Sequence, residues 1–234
     1  MSLILRIREE RRYRAVRVSL YLQRHYHAYV SATTILKIFP RHHVGRVSLK
    51  KYRAGPKPAD APLQVPGRSV QLDVKFVPRV GRARQRFYQF TAIDEATRFR
   101  VLRIYDHDNT KTAIDFLQEV REYFPFAIQK IQTDNGSSFG PQFTWHLCDL
   151  RISHKHIPAG CPEVNGKVER SHKTDSEEFY QGRHFKHKRD LARKLKRWET
   201  EYNEDRPHLA LKGKTPAERV RELVQAPKSV SDLS

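Results

Sequence analysis

Hydrophobic and polar residues alternate most clearly in a short stretch that begins at Val70. Val70, Leu72, Val74 and Phe76 are apolar, and the residues between them, including Asp73, are polar. Because successive side chains of a strand point to opposite faces, this alternation predicts a strand. One acid would lie on the polar face of that strand.

Further strands and helices are predicted after this first strand. Strands at about 86–93 and 99–105 are joined by turn-prone residues, which predicts an antiparallel meander. The next predicted elements are a helix over 110–124, a strand over 127–133, a helix over 141–150 and a strand over 152–157. The order predicts a mixed α/β domain.

The beginning of the chain has helical periodicity instead. Apolar positions at Val16 and Leu20 predict a basic helix within 4–26, and Ser31 opens a second periodic run over 34–39. Two helices joined by a short loop are typical of a helix-turn-helix, whose second helix enters the major groove of DNA. The alternative is a small helical pair that packs on the main domain.

A basic segment with four prolines separates these helices from the strands. It carries Arg46, Lys50, Lys51 and Arg53, which we expect to contact DNA phosphates because each contact releases counterions. A solvated spacer is the alternative. The predicted division is a partial helix-turn-helix segment (1–43), this linker (44–69), an α/β core (70–205) and a C-terminal tail (206–234).

The charge of the chain indicates a polyanionic partner. Its 45 Lys and Arg against 26 Asp and Glu give a net charge of +19, which disfavours an ordinary enzyme of small metabolites. The hydrophobic share of 38% predicts a folded protein. Two cysteines exclude a disulfide framework, and the lack of a long apolar run predicts an intracellular protein without a membrane segment.

Three acids are candidates for a metal site. Asp134 follows a predicted strand at an Asn-Gly turn, Glu169 lies on a predicted helix, and Asp73 lies within the first strand. Three neighbouring carboxylates repel one another, and Mg²⁺ or Mn²⁺ relieves that repulsion while also holding a phosphate. The alternatives are an Asx turn at Asp134 and ion pairs of Glu169 with Lys173 and of Asp73 with Lys75.

Three sequence blocks that contain these acids resemble the DDE transposase and integrase superfamily. The resemblance is to the integrase core of a bacterial insertion-sequence transposase, and it is strongest from about 70 to 216. The blocks are Gln71-Leu72-Asp73-Val74, Thr133-Asp134-Asn135-Gly136-Ser137 and Asn165-Gly166-Lys167-Val168-Glu169-Arg170, followed by Tyr202-Asn203, Arg206-Pro207-His208 and Thr215-Pro216.

The resemblance implies a ribonuclease H-like fold, with a five-stranded mixed sheet and helices on both faces. It implies that Asp73, Asp134 and Glu169 hold two Mg²⁺ or Mn²⁺ ions, which catalyse cleavage of DNA 3′ ends and strand transfer. It also implies a homo-oligomer on double-stranded transposon-end and target DNA in the bacterial cytoplasm. Lys167, Arg170 and Lys173 lie on the helix of Glu169 and are expected to contact phosphates; surface charge is the alternative.

Two other interpretations of the chain remain open. One is a ribonuclease H-type nuclease that hydrolyses DNA without joining it. The other is an inactive or truncated DNA-binding remnant, because full-length relatives of this kind carry a further helix-turn-helix ahead of the present start.

Several other groups of residues are assigned structural roles. Trp198 lies on the apolar stripe of a basic helix and is expected in the core. Asp94 and Glu95 are expected to cap a turn. The spacing of the histidines and cysteines fits no familiar zinc site; they are His146, Cys148, His154, His156 and Cys161.

Overall fold

The computed structural model of the protein describes residues 2–42, 44, 65–78, 80–81, 86–157 and 166–225. The chain divides into two compact units. One comprises Met1–Pro62 with Pro207–Lys214, and the other comprises Leu63–Arg206 with Thr215–Ser234. Most of the predicted linker lies outside the described residues, so the predicted domain boundaries stay predictions.

Within the residues that the structure describes, the first unit contains three α-helices around a small apolar core. The helices are α1 (Leu3–Arg11), α2 (Ala15–Tyr26) and α3 (Ala32–Arg41). Ser31 caps α3, because its hydroxyl accepts a hydrogen bond from the Thr34 N–H at 3.1 Å. The core residues of these helices include Leu5, Ile7, Tyr13, Val18, Leu22, Ile35 and Phe39.

The predicted first helix is divided in two, and its buried face differs from the prediction. Arg12 adopts a left-handed conformation with φ of 55°, which ends α1 and lets α2 begin at Ala15. The apolar positions of α2 are therefore counted from a new helix start and not from that of one continuous helix. Val18 is buried, and Val16, which was predicted to face inward, is exposed.

The second unit contains five strands and five helices within the described residues. The strands are β1 (Val70–Phe76), β2 (Tyr88–Asp94), β3 (Arg100–Tyr105), β4 (Lys130–Thr133) and β5 (Ser153–His156). The helices are α4 (Thr110–Tyr123), α5 (Pro141–Asp149), α6 (Gly166–Thr174), α7 (Lys188–Thr200) and α8 (Pro216–Gln225). Short π-helical segments, Asp175–Tyr180 and Glu201–Asp205, continue α6 and α7. Among the described helices, none combines the length and apolarity needed to cross a membrane.

The five strands form one mixed sheet with the order β3-β2-β1-β4-β5. The pairs β1–β2 and β2–β3 are antiparallel, as the meander prediction requires. The pairs β1–β4 and β4–β5 are parallel. The predicted strands are confirmed, with ends that shift by up to three residues.

Helices cover both faces of this sheet, as expected. On one face, α4 and α5 bury a first apolar cluster, and on the other face α7 buries a second one. The neighbours Val101 and Leu102 of β3 belong to the first and the second cluster, respectively. The first cluster includes Val70, Leu72, Phe90, Phe116, Leu117, Ile131, Phe143 and Leu147. The second includes Phe179, Tyr180, Leu191, Leu195, Trp198 and Tyr202. The prediction that Trp198 lies in the core is confirmed.

The edge strand β3 is covered by polar side chains. The Asn203 side chain accepts from the Arg100 N–H at 3.1 Å and donates to the Arg100 carbonyl oxygen at 2.8 Å. Glu199 accepts a hydrogen bond from the Leu102 N–H. These bonds satisfy backbone groups that an edge strand otherwise leaves unpaired. Asn203 therefore has a structural role.

Candidate active site

Asp73 lies on the polar face of β1, against α6. Its Oδ1 accepts a hydrogen bond from the Val74 N–H at 2.8 Å, and its Oδ2 lies 3.4 Å from His172 Nδ1. Lys75, the alternative partner considered for Asp73, lies 3.7 Å from the Asp175 carboxylate instead. Asp73 is therefore not neutralised by a direct ion pair with Lys75.

The register of β4 brings Asp134 to the same place. β1 and β4 are parallel, with Val70 opposite Ile131 and Gln71 opposite Gln132. Continuing this register by two residues sets Asp134 beside Asp73. The acid at the end of β4 thus comes next to the acid within β1 because the two strands share a direction.

The turn after β4 fixes one oxygen of Asp134. The Gly136 N–H donates to Asp134 Oδ1 at 2.9 Å, so the predicted Asx turn is present. A Cβ at position 136 would lie 2.9 Å from that same oxygen, so the Asp134 carboxylate would have to shift if a side chain stood there. The Asp134 side chain is exposed, and the turn does not prevent its second oxygen from binding a ligand.

Glu169 lies in the first turn of α6, and this helix packs on β1 and β2. Its side chain is exposed. Within the described residues 166–225, Glu169 forms no ion pair with Lys173, which was the alternative partner considered for it. Val168 and Ser171 are buried on the opposite side of the same turn, which anchors the helix that carries Glu169.

The three acids interact electrostatically. Burial and the neighbouring carboxylates of Asp134 and Glu169 together raise the pKa of Asp73 to about 7, against the opposing effects of the Val74 N–H and Lys75. The negative charges of Asp134 and Glu169 thus both act on Asp73 and disfavour its ionisation.

The chemistry of these side chains fits a hard divalent cation. Carboxylate oxygens are the preferred ligands of Mg²⁺ and Mn²⁺, and a bound cation would relieve the repulsion that raises the pKa of Asp73. Among the described residues, no group of three acids, histidines or cysteines already has the geometry of a metal site. The three carboxylates are therefore not preassembled as a closed set of ligands.

The predicted phosphate contacts have different surroundings. Lys167 Nζ donates to Glu95 Oε1 at 2.7 Å, so Lys167 is engaged within the protein. Arg170 and Lys173 are exposed on α6. The linker residues predicted to bind DNA lie outside the described residues; they are Arg46, Lys50, Lys51 and Arg53.

Two residues next to the candidate site were missed by the sequence analysis. His172 donates or accepts a hydrogen bond with the Thr91 hydroxyl at 3.0 Å on the side away from Asp73. Burial, with a contribution from Lys75, lowers the pKa of His172 to about 3, so its ring is neutral at pH 7. His172 lies three residues after Glu169, and this spacing on one helix face is the sequence feature that could have identified it.

Asp175 is the second missed residue, and it is completely buried. Its carboxylate pairs with Arg100 at 2.8 Å and accepts hydrogen bonds from Trp198 Nε1 at 2.7 Å and Gln89 Nε2 at 2.8 Å. Although burial opposes ionisation, Arg100 and Lys75 hold the pKa of Asp175 below its usual range. No local sequence pattern indicates these distant partners.

Other acids and histidines have structural roles. Asp94 accepts hydrogen bonds from the N–H groups of Gly67 and Thr97, so its predicted place as a turn cap is confirmed. His154 bonds the hydroxyls of Thr133 and Thr144. These residues are engaged in holding the ends of the strands.

Sequence comparison identifies the domain that contains this site. Two family models, both described as "Integrase core domain", match residues 64–162 and 150–216. Residues 64–216 form an integrase core domain. The candidate site lies within this domain, because Asp73, Asp134 and Glu169 are all among the matched residues. The narrower placement among bacterial insertion sequences stays a prediction.

A curated relative and two solved structures are similar to this integrase core. The putative integrase ORF3 of Spiroplasma virus SpV1-C74 is 32% identical over 165 residues, which cover 63% of this chain and 46% of that protein. The chain thus spans about half the length of that relative.

The structural neighbours share the fold at low sequence identity. The HTLV-2 integrase catalytic core domain in complex with magnesium, in its dimeric form, superposes with a TM-score of 0.52 at 16% identity, covering 67% of this chain and 97% of that one. A chain of the simian T-cell lymphotropic virus intasome in complex with PP2A regulatory subunit B56 gamma gives a TM-score of 0.56 at 17% identity, with 90% and 75% covered. The predicted ribonuclease H-like fold is confirmed.

Proposed function

We propose that this integrase core cleaves DNA 3′ ends and transfers them to target DNA, with Asp73, Asp134 and Glu169 as ligands of two Mg²⁺ or Mn²⁺ ions. The observation that carries this proposal is the parallel register of β1 and β4, which sets Asp134 beside Asp73, and the electrostatic effect of Asp134 and Glu169 on Asp73 supports it. The related HTLV-2 domain is described in complex with magnesium. That description supports the same metal for this chain.

The protein groups around the site have distinct tasks in this reaction. When bound, the divalent cations supply Lewis-acid stabilisation of the phosphate charge and activate the attacking hydroxyl or water. The Val74 N–H and His172 orient the two oxygens of Asp73, and the Gly136 N–H orients Asp134. Oriented carboxylates lose less freedom when they become ligands, which favours binding.

DNA binding in this proposal uses positive charge in both units of the chain. Arg170 and Lys173 are exposed on the helix of Glu169 and can reach phosphates close to the cleaved bond. In the first unit, Thr33 and Lys37 are exposed on α3, the helix that would enter the major groove. The basic linker would add contacts that strengthen binding without reading sequence.

The proposed assembly is a homo-oligomer on double-stranded DNA. Joining two DNA ends requires two active sites, and the related structures are described as a dimer and as an intasome. The proposed location is the cytoplasm of a bacterium, where the substrates are chromosomal or plasmid DNA.

The test is incubation of the purified protein with supercoiled plasmid and with labelled DNA ends, with Mg²⁺, with Mn²⁺ or with EDTA. We expect metal-dependent nicking and joined products. Nicking without joined products would instead establish a nuclease. DNA binding with no metal-dependent cleavage would establish a DNA-binding remnant and refute the proposal.

A further inference from the structure

The start of α6 is held by a side chain from the neighbouring strand. The first four N–H groups of a helix have no partner within that helix, and Val168 is the third residue of α6. Its N–H donates to Gln71 Oε1 at 3.0 Å. Gln71 is fully buried and lies two residues before Asp73 on β1.

The orientation of the Gln71 amide is fixed by charge. Gln71 Nε2 donates to Glu95 Oε1 at 2.7 Å, and Lys167 Nζ donates to the same oxygen at 2.7 Å. An amide donates only from its nitrogen and accepts only at its oxygen. The carboxylate of Glu95 therefore forces the amide oxygen toward the Val168 N–H.

This connection bears directly on a candidate metal ligand. Glu169 follows Val168 in the same helical turn, and its own side chain is exposed. The position of its carboxylate thus depends on how firmly the first turn of α6 is held against β1. Gln71 links that turn to the strand that carries Asp73, so this side chain connects the backbone segments of the two acids.

We propose that Gln71, oriented by Glu95 and Lys167, is a positioning residue that holds Glu169 in place beside Asp73. This inference rests on the proposed metal-dependent function. Lys167 then acts through Glu95 and Gln71, whereas Arg170 and Lys173 stay available for phosphates.

The first test replaces the amide by an apolar group of similar size. In Gln71→Leu we expect amide exchange at 167–170 to accelerate about five- to tenfold, the factor that corresponds to one lost hydrogen bond. The nicking rate should fall about tenfold or more, as is typical when a group that supports a metal ligand is removed. The Mn²⁺ concentration for half-maximal rate should rise. Gln118→Leu, at an exposed position of α4, is the matched control.

The second test exchanges the donor and the acceptor. Gln71→Glu places a carboxylate against Glu95, and Glu95→Gln removes the anion that orients the amide, so each variant alone should lose activity. In the double variant, the new amide at position 95 donates to the new carboxylate at position 71, which still accepts from Val168. We expect the double variant to regain most of the rate and the metal dependence of the unaltered protein.

The outcomes separate this inference from the proposed function. If the unaltered protein shows neither metal-dependent nicking nor a Mn²⁺-induced rise in melting temperature, the proposed function fails and the inference fails with it. If the unaltered protein is active and Gln71→Leu matches it in rate and Mn²⁺ dependence, only the inference fails. A lost rate with unchanged exchange at 167–170, or without recovery in the double variant, also overturns the positioning role.

Discussion

Asp73 and Asp175 both lie near Lys75, yet their electrostatic surroundings are opposite. Asp175 is buried with Arg100 at 2.8 Å and Lys75 at 3.7 Å, and the pKa of its carboxyl is lowered despite its burial. Asp73 is half-buried near two other carboxylates, and its pKa is raised to about 7.

The difference teaches how a fold can distinguish a structural acid from a candidate ligand. The protein itself neutralises Asp175, which therefore contributes to the folded state. It leaves Asp73 short of positive charge, so that neutralisation depends on a proton or a cation from solution. The following predictions test this contrast in order of expected effect.

The largest effect is expected at Asp134. Asp134→Asn should reduce nicking by more than about a hundredfold, since loss of a group that only supports a ligand already costs about 10- to 100-fold. DNA affinity without metal should be almost unchanged, because no phosphate contact is removed. Nicking and gel-shift assays measure both, with Asp115→Asn, an exposed acid of α4 paired with Lys111, as the control. Nicking at the unaltered rate would remove Asp134 from the site.

The next effect concerns the structural acid. Asp175→Asn should destabilise the fold by about 3–5 kcal/mol, because it leaves buried cations without their counter-ion. Urea unfolding at pH 7 measures the change. A loss below about 1 kcal/mol, the size typical of an exposed ion pair, would show that the buried charges are not mutually dependent.

Asp73→Asn should stabilise the fold, in contrast to Asp175→Asn, and the size of this effect should depend on pH. The folded-state pKa of Asp73 is raised from 3.8 to about 7, so ionisation costs stability increasingly as the pH rises between these values. The variant should match the unaltered protein near pH 4. Above pH 7 it should be more stable, by up to about 4 kcal/mol at about 1.4 kcal/mol per pKa unit.

Unfolding curves at pH 4, 6 and 8 measure this effect. Added Mn²⁺ should stabilise the unaltered protein and reduce its difference from Asp73→Asn. A difference that does not change with pH would contradict the raised pKa.

The smallest effect is expected for exposed cations on α6. Replacing Arg170 and Lys173 by alanine should lower the salt dependence of DNA binding by about one unit of slope for each lost phosphate contact. Thermal stability should stay the same, in contrast to the buried cation Arg100. Binding measured over a salt series is the assay, and an unchanged slope would show that these two residues do not contact DNA.

Much of the core was predictable from local patterns. The alternation around Asp73 identified β1, and the Asn-Gly turn identified the end of β4 at Asp134. These signals are local because strand periodicity and turn chemistry depend on neighbouring residues. The predicted elements already made Glu169 a candidate beside Asp73 and Asp134, and the resemblance pointed to the same three acids.

The supporting contacts were not predictable, because they join distant parts of the chain. Arg100 and Asp175 are 75 positions apart, and nothing in the sequence indicates which cation meets which acid. Val16 was misjudged for a different reason. The left-handed residue Arg12 shifts the start of the second helix, and with it the buried face.

The resemblance identified some residues without indicating their role. Arg206 makes two hydrogen bonds to the buried Glu178, at 2.8 and 2.9 Å, so it supports the fold of the core. Thr215 begins α8 by exchanging hydrogen bonds with Glu218 in a capping box. These motif residues stabilise elements outside the candidate site.

The parallel pairing of β1 with β4 makes the length of β4 as important as its composition. Inserting or deleting one residue between Lys130 and Asp134 would turn the aspartate to the opposite side of the sheet and bring a neighbour such as Thr133 or Asn135 into its place. Substitutions within this strand can be absorbed by repacking, whereas a change in residue number would disrupt the meeting of the two aspartates even in a fully folded protein.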